Sequence, residues 1–318
     1  MGRYIRRRLL VAMPLLLAIT ALIFLLLQLT PGDPLNAYAP PDQPLPEAQR
    51  EALRRKLGLD RPLPVQYIYW LKEAAQGNLG FRTKNSAPVS TEISGRIGPT
   101  LQLMGLGMAI GITTGIFLGV IAALRQYSIL DTVLTLFAYL GISMPAYLLG
   151  LVGLYVFALR LGWFPAGGRS TPGEPFSLWD QVRHIILPAT ILSVNYVAST
   201  MRYTRTAMLD VLGQDYLRTA RAKGLREPTV IGLHALRNAL LPVVTIIGSY
   251  IPNLLGGAVF IESIFAWPGL GRLFLEGVEA RDYPLIMGMT LILAILIMLA
   301  NLLTDVAYAI IDPRIRYE

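Results

Sequence analysis

The sequence predicts an all-α polytopic membrane protein with six transmembrane helices. The first observation is composition: the chain is 54% hydrophobic and only 15% charged, whereas a soluble domain averages about 25% charged residues. The second is that the apolar residues form six runs, each close to the roughly 20 residues that cross a bilayer. The third is that the net charge of +8 lies in alternate connecting segments, as the positive-inside bias requires.

The six predicted spans are separated by segments richer in charge, glycine and proline. They cover residues 9–29, 101–124, 132–161, 185–201, 240–264 and 285–311. The basic start and apolar run at the N-terminus resemble a secretory signal. However, the run is too long for a typical signal core, and no small-residue cleavage site follows it. We therefore predict an uncleaved first helix with its N-terminus in the cytoplasm.

The chain divides into four predicted parts. These are the N-terminus with the first span (1–30), an extracytoplasmic loop (31–99), a membrane core with five spans (100–311) and a cytoplasmic tail (312–318). The loop contains two helix candidates, 46–57 and 64–76, each with a proline near its start and a glycine just past its end. The second carries Tyr67 and Trp70, which favour the membrane interface.

Six crossings place both termini on one side of the membrane. On this topology the inner segments hold 14 of the 28 Lys and Arg residues but only six of the 20 Asp and Glu residues. The outer segments, with 14 basic and 13 acidic residues, are nearly balanced. The excess positive charge therefore lies on the cytoplasmic side, and nothing in its distribution calls for a nucleic acid partner.

Two spans carry features that predict how they pack. In the second span, Gly107, Gly111, Gly115 and Gly119 are four residues apart, so they share one face and permit close helix contact. Pro145 interrupts the third span and predicts a kink, since proline removes a backbone donor.

Few polar residues lie inside the spans. Asn195, Asn253 and Asn301 are candidates for a polar translocation path, although hydrogen bonds between helices are the commoner use of such residues. Asp305 is the one acidic residue deep in a predicted span, and we expect a structural role near the helix end.

The motif content excludes several activities. The chain has no cysteine and only two histidines, His184 and His234, which are far apart in the sequence. No phosphate-binding G-x-x-x-x-G-K-[ST], G-x-S-x-G or H-E-x-x-H motif occurs. We therefore expect no catalytic residue, no metal site and no cofactor in this chain.

The segment 214–242, QDYLRTARAKGLREPTVIGLHALRNALLP, lies between two apolar spans. Tyr216, Leu217, Ala220 and Gly224 share one helical face, and Gly224 is a plausible helix stop. Basic side chains lie to the sides of that face. The pattern fits either an ordinary positively charged loop or a short helix that a soluble partner binds, and spacing alone leaves both open.

This segment resembles the coupling loop of ABC importer permeases, and most closely that of the dipeptide/oligopeptide/nickel family. Gly224 and Leu241–Pro242 match the general pattern, while Arg218 and Thr219 replace its Glu and Ala, as is usual in the peptide branch. LGLDRPLPVQYIYWL, GISMPAYLLG, AWPGLGRL and the terminal DPRIRYE are also similar to family stretches.

The resemblance implies a type I ABC importer permease fold and a transport function. The implied partners are a second related permease, two cytoplasmic ATPases that bind ATP and Mg, an extracytoplasmic solute-binding protein and the lipid bilayer. It places the coupling loop at residues 202–239. It also implies that the protein lies in the inner membrane of a bacterium or archaeon. The implied ATPase-coupling residues are Tyr216, Leu217, Arg218, Thr219, Ala220, Arg221, Gly224 and Leu225.

Two questions stay open from the sequence. An ion-gradient-driven secondary transporter is the alternative mechanism, although no internal repeat supports it. Within the ABC class, the substrate could be a dipeptide, a longer peptide, a nickel chelate, glutathione or a sugar.

Overall fold

The computed structural model describes residues 2–29, 46–56 and 58–311. Within them the protein is almost wholly helical, with an isolated bridge between Phe81 and Pro88 and no strand. The helices are α1 (Gly2–Leu29), α2 (Glu47–Lys56), α3 (Leu63–Ala75), α4 (Val89–Leu124), α5 (Ile129–Ser143), α6 (Ala146–Gly153), α7 (Leu178–Leu212), α8 (Asp215–Ala222), α9 (Glu227–Thr229), α10 (Leu236–Ile264), α11 (Leu270–Glu279) and α12 (Tyr283–Ile311). Two π-helical segments, Leu154–Arg160 and Val230–Ala235, follow α6 and α9 directly. The side chains of residues 251–257 and 306–311 lie outside the described part.

The described residues contain five helices that are long and apolar enough to cross a bilayer. The count is six, as predicted, if the bent pair Ile129–Ser143 and Ala146–Arg160 crosses as one span. The bend is 106° and lies at Pro145. Met144, the residue before the proline, has the extended conformation that such a position favours. The predicted interruption of the third span is therefore confirmed.

Several helices extend beyond the predicted apolar runs. Helix α4 begins twelve residues before the predicted start at 101, and α7 covers 178–212 where only 185–201 was expected. The ends of these helices contain polar residues, so hydropathy alone stopped short of them. As a result, the first part of the expected coupling loop continues α7. The tail at 312–318 lies outside the described residues.

The two helices expected in the loop after the first span are present as α2 and α3. Gly58 and Gly77 follow them with φ of +66° and +85°, the left-handed conformation typical of a residue just past a helix end. Tyr67 of α3 lies against α1, where its hydroxyl is 2.8 Å from Thr20 Oγ1 and donates to the carbonyl of Leu17 at 3.0 Å.

The chain forms two compact units, and the first comprises Met1–Pro99 with Gly269–Leu302. Its core contains Leu79, Val89, Leu273, Leu285 and Met289. It also includes α11, which lies between the fifth and sixth predicted spans, where no helix was predicted. The buried residues of α11 recur at spacings of three and four; they are Leu270, Gly271, Leu273 and Gly277. That amphipathic pattern is the signal that sequence reasoning missed.

A buried ion pair also lies in this first unit. Asp282 is 0% exposed and accepts from Arg82 Nε at 3.4 Å and from the backbone amide of Thr83 at 3.2 Å. A second oxygen accepts from the amide of Leu285, so Asp282 also caps the first turn of α12. The carboxylate thus satisfies the amides at a helix start and the guanidinium together.

The second unit, Thr100–Pro268 with the end of α12, contains most of the spans. Here the four glycines predicted to mediate close packing lie against α7. A Cβ atom added at Gly111 would be 2.4 Å from Tyr196 Cβ, and one added at Gly119 would be 2.7 Å from the carbonyl oxygen of Met201. Because only glycine permits this approach, the stripe fixes the register of α4 on α7.

Glu262 lies close to the end of the predicted fifth span, 240–264. Its side chain is fully buried at the end of α10. Thr100 Oγ1 donates to Glu262 Oε1 at 2.7 Å. The neighbouring Phe265 and Trp267 are buried as well. A carboxylate can occupy such an apolar position because it is hydrogen-bonded there.

Candidate coupling helix and path-lining residues

Helix α8 is short, and its sequence explains both of its ends. Asp215 lies in the first turn, where a negative charge is favourable. The helix stops because Gly224 adopts φ of +78°. The amide of Leu225 then donates to the carbonyl of Ala220, and the amide of Gly224 to that of Arg221. This is the hydrogen-bond pattern of a glycine-terminated helix, as predicted for Gly224.

One face of α8 is buried within its own chain. Leu217 is 0% exposed and Ala220 is 8% exposed. The other buried members of the cluster around them are Ala123, Ala207, Met208, Val230, Ala235, Ala239 and Val243. The resemblance implied that Leu217 and Ala220 are among the residues that couple to an ATPase. The structure instead uses both to seat α8 against its own chain.

The opposite face of α8 is free. The candidate coupling residues that are exposed on α8 and on the turn that follows are Tyr216, Arg218, Thr219, Arg221, Gly224 and Leu225. They include cationic, hydroxyl, aromatic and aliphatic side chains. Six of the eight candidate coupling residues therefore lie on a surface that another protein can reach.

Two polar contacts hold this surface in place. Arg221 donates to both carboxylate oxygens of Glu227, the shortest contact being 2.9 Å from Nη2 to Oε1. This hydrogen bonding raises the pKa of Arg221 above its usual value, so the guanidinium stays charged. Tyr216 accepts from Asn238 Nδ2 at 3.0 Å, which joins α8 to the first turn of α10.

The connections of α8 to the spans are short. Only Gly213 and Gln214 separate it from α7. On the other side, α9 and the segment Val230–Ala235 continue into α10 without a loop. Because one buried cluster includes residues of α7, α8 and α10, a displacement of α8 must displace the ends of both spans.

A buried ion pair that sequence reasoning missed joins α5 to α7. Arg205 Nε donates to Asp131 Oδ1 at 2.6 Å, and Arg205 Nη2 donates to Oδ2 at 2.8 Å. Asp131 also accepts from the amide of Tyr127 and the hydroxyl of Thr135. The only sequence signal was a carboxylate and an arginine in segments that the predicted topology places on the same side of the membrane.

The structure describes the side chains of two of the three asparagines that were candidates for the path. Asn195 on α7 and Asn301 on α12 are exposed. The side chain of Asn253 lies outside the described residues. Among the described residues no group of three or more His, Cys, Asp or Glu side chains could hold a metal ion.

Comparison with protein families gives two matches. Residues 115–317 match the family described as the binding-protein-dependent transport system inner membrane component. Residues 1–94 match the N-terminal part of the same class of membrane component. The chain belongs to this family. Its members are the membrane permeases of ABC importers, and the resemblance noted in the sequence is confirmed.

Similarity to individual relatives extends over the whole chain. A putative peptide permease protein of Brucella suis is 55% identical over 317 residues, covering 99% of each chain. The oligopeptide transport system permease AppB of Bacillus subtilis is 45% identical over 318 residues, covering 100% of both. The glutathione transport system permease GsiC of Escherichia coli is 40% identical over 319 residues, again covering 100% of both.

Solved structures support the fold. The MetNI methionine ABC transporter in an inward-facing conformation has a chain that matches with a TM-score of 0.54 at 16% identity. The match covers 69% of this permease and 96% of that chain. The fold is therefore that of type I importer permeases, as the sequence predicted.

Proposed function

We propose that this permease forms the membrane path of an ATP-driven importer for peptides. The observation that carries the proposal is the 55% identity to a putative peptide permease along 99% of both chains. The oligopeptide permease AppB, at 45% identity over the full length, supports the same substrate class. The glutathione permease, at 40%, makes glutathione the second candidate substrate.

The proposed assembly contains this chain, a second related permease, two cytoplasmic ATPases and an extracytoplasmic solute-binding protein. ATP and Mg bind to the ATPases, and this chain contributes no catalytic group. Closure of the ATPase dimer moves the coupling helices, and the spans switch the path between inward-facing and outward-facing states. The binding protein then releases its peptide into the path.

In this proposal α8 transmits the motion through two faces with separate tasks. The buried face, with Leu217 and Ala220, fixes α8 to α7 and α10. The free face, with Arg218, Thr219 and Leu225, fits into a cleft on the ATPase. A rigid seat is necessary, because a loosely held helix would move without moving the spans.

The proposed orientation follows from this role. If α8 contacts a cytoplasmic ATPase, an even number of crossings separates it from both termini, which are then cytoplasmic too. The protein resides in the inner membrane of a bacterium or archaeon. Asn195 and Asn301 are proposed to line the path, because both are exposed polar residues within spans. Asn253 is also proposed to line the path, from its position in the fifth predicted span alone.

The test of coupling uses the free face only. Thr219→Trp adds bulk to this face and Leu225→Glu adds charge, while neither touches the buried cluster. Both variants should insert normally, because the spans are unchanged. We expect each to reduce co-purification of the ATPases and peptide uptake into proteoliposomes at least about tenfold, as overfilled or charged contacts do at packed interfaces.

The matched control is Lys84→Glu, a charge reversal at an exposed position between α3 and α4. It should leave assembly and uptake unchanged. If the two α8 variants keep their ATPases and transport normally, α8 is only a charged connector. If the wild-type assembly takes up no peptide, the substrate class is wrong even though the coupling proposal can stand.

The ion-gradient alternative receives no support from the family. Its main sequence argument was Asp305, which is half-buried in α12. Asp305→Asn preserves size while removing the charge, so ATP-driven uptake should persist in this variant. Uptake that continues without the ATPases would favour the alternative.

A further inference from the structure

The second half of α7 presents a polar face that the described part of its own chain leaves uncovered. The exposed residues between 195 and 210 are Asn195, Arg202, Tyr203, Thr206 and Asp210. Ser199, which is half-buried, lies between them on the same side, since positions four and seven apart share a helical face. No aliphatic side chain in this stretch of α7 is exposed.

The neighbouring helix α5 has the opposite character. Its exposed residues include Val133, Leu136, Phe137 and Leu140. These side chains suit lipid or another apolar helix. A charged side chain in a span rarely faces lipid and almost always faces the interior of a helix bundle or a water-filled cavity, because its desolvation in lipid is costly. The polar face of α7 therefore fits an aqueous path.

A groove of about 190 Å³ runs along the boundary between these two faces. Its lining residues are Thr135, Ala138, Tyr139, Ile142, Met201, Arg202, Arg205 and Thr206. The groove therefore combines an apolar wall with hydroxyl groups and two guanidinium groups.

Only one of the two guanidinium groups is neutralised within the described residues. Arg205 is paired with Asp131 through two hydrogen bonds. Arg202 has no described carboxylate within 4.0 Å and packs over the ring of Tyr203, with 5.2 Å between Cζ and the ring centroid. The hydroxyl of Thr206 donates to the carbonyl of Arg202 at 3.1 Å, and that of Thr135 donates to Asp131 Oδ1 at 3.3 Å. The charged donor that the groove leaves for a ligand is therefore the guanidinium of Arg202.

We propose that Arg202 binds the carboxylate of the substrate during its passage. The inference rests on the proposed peptide substrate. A guanidinium is well suited to a carboxylate, because its planar donors match the two oxygens. Every peptide with a free C-terminus offers this group whatever its side chains are. A site of this kind therefore holds many peptides and selects against those without a free carboxylate.

The test measures direct binding to the complete permease–ATPase complex in nanodiscs, without the binding protein. The probes are radiolabelled trialanine and trialanine amide, which differ only at the C-terminus. Arg202→Gln should weaken binding of trialanine about three- to tenfold and leave binding of the amide unchanged, as expected for a lost charge-assisted hydrogen bond at an exposed site. Arg202→Lys should retain most of the affinity. Arg183→Gln, which removes an exposed arginine near the other end of α7, should change neither probe.

Three results would overturn the proposal. The first is a wild-type complex that binds trialanine no better than its amide, and the second is an Arg202→Gln complex that binds both probes as the wild type does. The third is an effect of Arg202→Gln that is equal for both probes and occurs only when phosphatidylglycerol is added to phosphatidylcholine. That result would assign Arg202 to a lipid headgroup. Uptake of trialanine by wild-type proteoliposomes separates these failures from failure of the proposed function.

Discussion

At the scale of single residues, Asp131 joins several parts of the second unit through its hydrogen bonds. It is 3% exposed and accepts hydrogen bonds from Arg205, Tyr127 and Thr135. These contacts hold the start of α5, the turn before it and the middle of α7 together. Removing either charge would leave the other partly buried without its partner, which costs more than the pair contributes.

We therefore predict that Asp131→Ala strongly destabilises the permease. Removing one partner of a buried pair typically costs about 3–5 kcal/mol of stability. Because Arg205 is partly exposed, we expect the loss here to be about 2–3 kcal/mol. The thermal unfolding midpoint of the purified complex should fall by several degrees. Asp210→Ala, at an exposed position on α7, is the control and should unfold like the wild type.

A double variant separates loss of the pair from loss of packing. Asp131→Ala combined with Arg205→Met leaves no unpaired charge, so it should recover part of the lost stability. A double variant that is as unstable as the sum of its single changes would contradict this explanation.

At the level of residues, the sequence predicted features that depend on the local backbone conformation. It did not predict features that depend on which distant residues pack together. The stop at Gly224 was predictable, because the helical pattern ends at a glycine, and its φ is positive. The location of Leu217 was not, since an apolar residue on a short amphipathic helix can face its own chain or a partner. The partners of Asp131 and Glu262 could not be predicted either, because they are distant in sequence.

At the scale of elements, the contact of α4 with α7 depends on backbone proximity. Gly119→Ala would place a Cβ atom 2.7 Å from the carbonyl oxygen of Met201 and 2.7 Å from Thr204 Cβ. The backbone oxygen cannot rotate away, so the helices must separate slightly. We predict a loss of about 1–3 kcal/mol, as overpacking typically causes. The measurement is the unfolding midpoint, with peptide uptake as a second measurement.

The same helix supplies the control for this prediction. Gly105→Ala meets no atom within 4 Å, and alanine is intrinsically better than glycine in a helix. Its stability should be equal to the wild type or slightly higher. If both substitutions have the same effect, helix propensity rather than packing against α7 determines it.

A helix or a helix break could be predicted where a local sequence pattern, such as an apolar run or a proline, specifies it. Long apolar runs identified the five unbroken spans and the bent pair, and Pro145 marked the break in that pair. The angle of that break could not be predicted, because it depends on what α5 and α6 pack against. Helix α11 was missed because its buried face includes two glycines, which weaken the apolar pattern.

At the scale of the whole molecule, the broken third span decides the topology. If α5 and α6 with Leu154–Arg160 cross the membrane once, three crossings separate the loop before α4 from α8. If the bent pair returns to the side from which it started, only two crossings separate them. The first case places α8 on the cytoplasmic side, which the coupling proposal requires, and it agrees with the excess of basic residues there.

We predict the single crossing, and cysteine labelling can test it because the chain contains no cysteine. Lys84→Cys, Glu174→Cys and Gln214→Cys replace exposed residues before α4, before α7 and before α8. An impermeant maleimide added to intact cells should label positions 84 and 174, since an even number of crossings separates them. Position 214 should react only after the membrane is permeabilised. Labelling of 84 and 214 together, with 174 protected, would show that the bent pair is re-entrant. In that case α8 would face away from the cytoplasm, and a cytoplasmic ATPase could not bind it.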